Sequence, residues 1–157
     1  MPGKQEYSMG KQGKESKYAR FADMWYQIDS ASFRYFYPRL AEIGLTRGQP
    51  KMLRFLGTHD GCRQKDIAEQ FCLRAASVSA ILDVMEKDGM IERRPNPESR
   101  RETLIFLTEA GRQKLGQLAE FYQELDREVF HGMEDSEFEH MMSTLEKIHQ
   151  VLTEKIQ

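Results

Sequence analysis

The chain has 157 residues, a formal net charge of -2 and 39% hydrophobic residues, enough for one domain with one or two small cores. No apolar run approaches the ~20 residues that a membrane-spanning helix needs. The opening MPGKQEYSMGKQGKESK lacks the apolar centre of a signal peptide, so a cytoplasmic protein with no membrane partner is expected. Two cysteines, Cys62 and Cys72, are too few for a disulfide scaffold and are expected as small buried thiols.

The near-neutral total conceals a segregation. Residues 1–61 carry ten basic and six acidic side chains, residues 62–114 ten and nine, and residues 115–157 three and ten. An electrostatic footprint belongs to one surface, so this balance does not exclude a polyanionic partner.

Residues 1–17, rich in Gly, Ser, Lys and Gln, read as a flexible tail. Phe21, Trp25, Ile28, Tyr35, Leu40 and Ile43 then recur at helical spacing, which predicts one long helix over 18–43, bent at Pro38. LTRGQPKMLRFLG offers Thr46 and Gln49 as a capping pair before a helix carrying Met52, Leu53, Phe55 and Leu56.

CRQKDIAEQFCLRAASVSAILDVMEKDGM reads as two short helices separated by about three residues. Ile67, Ala68 and Phe71 face inward on the first; Val78, Ile81, Leu82 and Met85 do so on the second, which Gly89 stops. Such a tight pair predicts a helix-turn-helix. MIERR and RETLIFLT are two strands of a hairpin turned at PNPES. Thr108 caps a helix carrying Leu115, Leu118, Leu125 and Val129, and a last helix carries Phe138, Leu145, Ile148 and Leu152. The apolar stripes on the first and last helices exceed what one chain covers, which predicts a homodimer.

The ordered set QKDIAEQF, ASVSAILDVMEKDGMIERR, NPESRR and LTEAG resembles the multiple antibiotic resistance regulator (MarR) family of winged helix-turn-helix transcription factors, over residues 20 to 155. The resemblance implies a mainly α fold with a small β-hairpin wing (α+β). Its parts are a tail at 1–17, a dimerisation helix at 18–45, a winged helix-turn-helix lobe at 46–108 and dimerisation helices at 109–157. It also implies a non-enzymatic, sequence-specific regulator of a palindromic double-stranded DNA operator, acting as a repressor. Two departures stand out: Asn96 and Ser99 replace the usual wing aspartates, and Arg63 and Arg74 stand where a Ser or Thr cap is common.

Site residues follow from the resemblance and from chemistry together. Arg101 is expected in the minor groove, where negative potential is strongest, with Arg100 on phosphate. Arg74, Ala75, Ala76, Ser77 and Ser79 begin the second helix, where small and hydroxyl side chains approach base edges. Gln64 is expected on the DNA backbone. Arg93 and Arg94 read equally well as solvated positions or as partners of Glu92 and Asp88. Members of the family commonly bind a phenolic or lipophilic effector, and Trp25, Tyr26, Phe33, Tyr35 and Tyr37 are the aromatic candidates for lining its pocket, with core packing the commoner fate. His59, His131, His140 and His149 lack metal-ligand spacing, and no metal or other cofactor is expected. Two other readings stay open: a helical dimeric interaction module with a degenerate DNA-binding lobe, and a metal- or redox-responsive regulator.

Overall fold

The computed structural model describes residues 16–156, apart from the side chains of Arg100 and Arg101. The expected tail therefore lies outside the described residues except for Ser16 and Lys17, which open the first helix. Element order is α1 (Lys17–Glu42), α2 (Gln49–Thr58), β1 (Cys62–Arg63), α3 (Gln64–Gln70), α4 (Ala75–Lys87), β2 (Ile91–Asn96), β3 (Ser99–Leu107), α5 (Glu109–Val129) and α6 (Asp135–Glu154). This is the expected mainly helical chain with a small antiparallel sheet. Among the described residues no helix is long and apolar enough to cross a membrane.

The chain divides into two units after Arg47. The first is dominated by α1, which runs on through Pro38. Its aromatic side chains pair locally: Phe21 stacks on Trp25 and Phe33 lies tilted against Tyr37, with ring centroids 6.3 and 4.6 Å apart.

In the second unit, Met52, Leu53, Leu56, Ile67, Val78, Leu82, Met85 and Leu118 are fully excluded from solvent. Each such side chain contributes about 1.5–3 kcal/mol by leaving water, which makes this layer the main source of stability. The helix start differs from the expected Thr46/Gln49 pair: Gly48 is the N-cap, with φ 92°, and Pro50 occupies the first turn. A second difference is that Cys62 and Arg63 do not begin a helix. They form a short strand paired with Ile105 and Leu104, so the sheet has three strands in the order β1-β3-β2.

The helix-to-wing connection is built from caps. Gly89 has φ 72°, a conformation costly for residues with a Cβ. It lets the Gly89 N–H donate to Glu86 and the Met90 N–H to Met85, at 2.9 and 2.8 Å, closing α4 in a Schellman turn. Thr108 Oγ donates to the Gly89 carbonyl and accepts the Gly111 N–H, as expected of the α5 cap. A Cβ at Gly111 would sit 2.0 Å from the Met90 carbonyl oxygen, so only glycine permits α5 to start against this turn.

Candidate nucleic-acid interface

Helix α4 is held by its apolar edge. Val78, Leu82 and Met85 are buried at helical spacing, and this turns Arg74, Ala75, Ala76 and Ser77 out to solvent, with Ser79 half-buried beside them. Arg74 is the N-cap and no side chain caps the first turn. This is the positive end of the helix dipole, and of its first-turn amides that of Ser77 bonds the Arg74 carbonyl at 2.9 Å. Gln64, expected on the DNA backbone, also has a partner within the lobe. Its Nε2 donates to the Ala75 carbonyl at 3.1 Å, tying the start of α3 to the start of α4.

Strands β2 and β3 form the wing, in register from Ile91 opposite Leu107 to Pro95 opposite Thr103, with a shift before Asn96. Ile91, Ile105 and Leu107 are buried and anchor its stem. At the tip, Asn96 Oδ1 accepts the Glu98 N–H at 3.0 Å, and its Nδ2 donates to Glu102 at 3.1 Å. Arg63 reaches the same Glu102 at 3.6 Å and binds Asp66 at 2.7 Å. Asn96, which stands in place of a wing aspartate, thus closes the turn itself. The Arg63 guanidinium hydrogen bonds hold the Asp66 carboxyl below its usual range. Arg100 and Arg101 belong to β3 next to this tip; their side chains lie outside the described residues.

Arg93 and Arg94 are ion-paired. Arg94 bonds Glu92 and lies over the Phe106 ring, 4.5 Å from its centroid. Arg93 bonds Glu86 and, at 2.7 Å, Asp83, not Asp88; both partners are on α4. Asp83 also receives the Ser79 hydroxyl at 3.4 Å. These pairings carry a sequence signal only in the acidic spacing along α4, and the fold is needed to reveal it. Asp60 was missed for the same reason: it accepts the Leu107 N–H at 2.8 Å and binds Arg112 at 2.6 Å.

The five aromatic effector candidates do not gather in one cluster on α1. Phe33 and Tyr37 pair beneath Arg47, Trp25 pairs with Phe21, and Tyr35 contacts Phe36 and Arg39; Trp25, Tyr26, Phe33 and Tyr35 are exposed. A separate groove of about 500 Å3 is walled by α2, α5 and the end of α3. Lys51 lies over Phe71, Arg54 over Tyr122, and His59 stacks on Phe55 around it. Among the described residues, no carboxylate lines it.

Burial pushes the Cys62 thiol up to about 11, with Asp66 adding to the effect, whereas Cys72 is exposed, contrary to the expected burial. His59, His149, Asp66, Glu69 and Cys72 line one cavity. Among the described residues, no three such side chains come close enough to hold a metal ion.

Residues 45–103 match the model of the MarR family. The chain is 30% identical to the HTH-type transcriptional regulator YwhA of Bacillus subtilis (strain 168) over 99 residues, 63% of this chain and 71% of that protein. The chain belongs to the MarR family. MarR-family chains are non-enzymatic DNA-binding transcriptional regulators, and this chain is one of them. It is also 24% identical to the HTH-type transcriptional repressor IacR of Pseudomonas putida, over 69% of this chain and 65% of that one. The MarR-type fold is matched by the S. aureus MepR–DNA complex, with a TM-score of 0.76 and 22% identity over 87% of this chain and 99% of that one.

Proposed function

We propose that this chain is a cytoplasmic, homodimeric repressor that reads a palindromic operator and is released by a hydrophobic aromatic acid or phenol. The observation that carries the DNA reading is the open N-terminus of α4, with Arg74, Ala76 and Ser77 exposed around it. Ser79 borders the same face, Gln64 fixes its start, and Arg100 and Arg101 supply cations from the wing. Small side chains let the helix approach base edges, and hydroxyls supply hydrogen bonds there.

The dimer reading rests on α6, where Val151 and Leu152 are exposed and no residue is buried. A second copy covering that stripe, together with the exposed aromatic side chains of α1, removes the apolar surface from water. Dimerisation also matches the symmetry of a palindromic site.

The effector reading shifts emphasis from Trp25, Tyr26, Phe33, Tyr35 and Tyr37 to the groove beside α5. Two cations seated on aromatic rings, Lys51 and Arg54, favour an anionic headgroup, and the Leu115 and Leu118 wall favours an apolar body. Such a ligand acts only through unequal affinity for the DNA-bound and released forms. The test is a salt-titrated binding assay on mixed genomic DNA, followed by titration of benzoates and phenols into the complex. Steep salt dependence with retained sequence preference is expected. Absence of binding would place the interaction-module reading first.

A further inference from the structure

We propose that Arg93 is a positioning residue for DNA reading: its grip on Asp83 and Glu86 fixes the wing against helix α4. The proposal rests on the DNA-binding reading above and concerns how its two contact elements are kept in register.

The covalent link between α4 and β2 consists of Asp88, Gly89 and Met90 alone. Gly89 is exposed, with nothing within 4 Å of where a Cβ would stand, so no packing on a side chain braces it beyond the backbone caps and the Thr108 hydroxyl. These caps fix the turn itself, and an ion pair between side chains further along the helix and the wing adds a second constraint on the angle between them. Arg93 spans the turn. One guanidinium nitrogen holds Asp83 at 2.7 Å and the other holds Glu86, one turn further along α4. Two anchors along a helix, gripped by one planar fork, define both distance and angle.

Charge argues against a direct phosphate role for Arg93. Both terminal nitrogens are engaged by carboxylates, and only 24% of the side chain is exposed. One cation against two carboxylates leaves the cluster net negative, so it repels a phosphate. Asp83 carries the linkage further by receiving the Ser79 hydroxyl on the reading side of α4.

This charge balance provides the test. Full-length protein is titrated against a labelled duplex selected from mixed genomic DNA by the wild type, over a salt series. Asp83→Asn with Glu86→Gln removes two negative charges from a DNA-facing lobe, which by electrostatics alone tightens binding. The clamp predicts weaker operator binding instead, on the order of tenfold, the usual scale for coupled contacts. Arg93→Ala is expected to weaken binding similarly without lowering the salt slope, and to add no further loss when combined with the carboxylate changes. Arg93→Lys keeps the charge but loses the fork, so it should behave like Arg93→Ala and gives a second readout if the alanine variant folds poorly. Unchanged or tighter binding by the carboxylate variant, or a salt slope reduced by Arg93→Ala, overturns the clamp while wild-type binding stands. A wild type that selects no DNA overturns the DNA reading and the clamp together.

Discussion

Gln64 Nε2 donates to the Ala75 carbonyl oxygen 3.1 Å away, joining the first residues of α3 and α4 across eleven positions of sequence. A single side chain therefore ties the start of α3 to the start of α4. Gln64→Ala is expected to cost about 1 kcal/mol, a typical hydrogen bond. It should also weaken operator binding with little change in salt slope. A salt slope lowered by Gln64→Ala would instead identify Gln64 as a phosphate contact.

Asp60 joins the loop after α2 to β3 and α5 through its two carboxylate oxygens, with Leu107 N–H on one and Arg112 on the other. Asp60→Ala leaves the Leu107 amide in need of a new partner. A loss of about 1–3 kcal/mol is expected in urea unfolding. Arg112→Ala should cost less, because that side chain is half exposed and its pairing is screened by water.

The two thiols are expected to differ in reactivity. The Cys62 pKa lies above its unfolded value of 9.0, at about 11, because burial disfavours the thiolate. The folded state therefore holds this proton more tightly than the unfolded state does. That contribution to stability is complete below pH 9 and is lost as pH rises through 11. Alkylation by iodoacetamide at pH 7.5, followed by peptide mass mapping, should label exposed Cys72 first. Equal labelling of both cysteines would contradict the burial of Cys62.

Removal of residues 136–157 tests the dimer. Without α6 the proposed partner surface is incomplete, and the product is expected to aggregate or unfold at every concentration studied by light scattering and thermal melting. A folded, soluble monomer would contradict obligate dimerisation.

Much of this architecture is legible along the sequence because it is local. The spacing of Val78, Leu82 and Met85, the Gly89 stop and the Thr108 cap each depend on a few neighbouring residues, and each stands where expected. What escaped is non-local. Cys62 and Arg63 form a strand only because Ile105 and Leu104 arrive beside them, some forty residues later. Arg93 shows its partners only once β2 folds back onto α4, and Gln64 finds Ala75 only once the helices turn. The groove of about 500 Å3 likewise joins Lys51 and Arg54 to Tyr122, a juxtaposition that periodicity within α1 cannot indicate.

In the proposed DNA complex the wing and α4 contact DNA in different ways, Arg101 by charge and Ser77 by base reading. Ser77 is the sharper probe of reading, because the Ser79 hydroxyl is already engaged by Asp83. Anisotropy of a labelled selected operator over a salt series, beside a thermal melt, measures both effects in the same samples. Arg101→Ala is predicted to lower affinity and reduce the salt slope by about one charge per subunit. Ser77→Ala is predicted to change preference among operators by about 1–3 kcal/mol with the slope intact. Folded Arg101→Ala protein with unchanged affinity and slope would contradict the account.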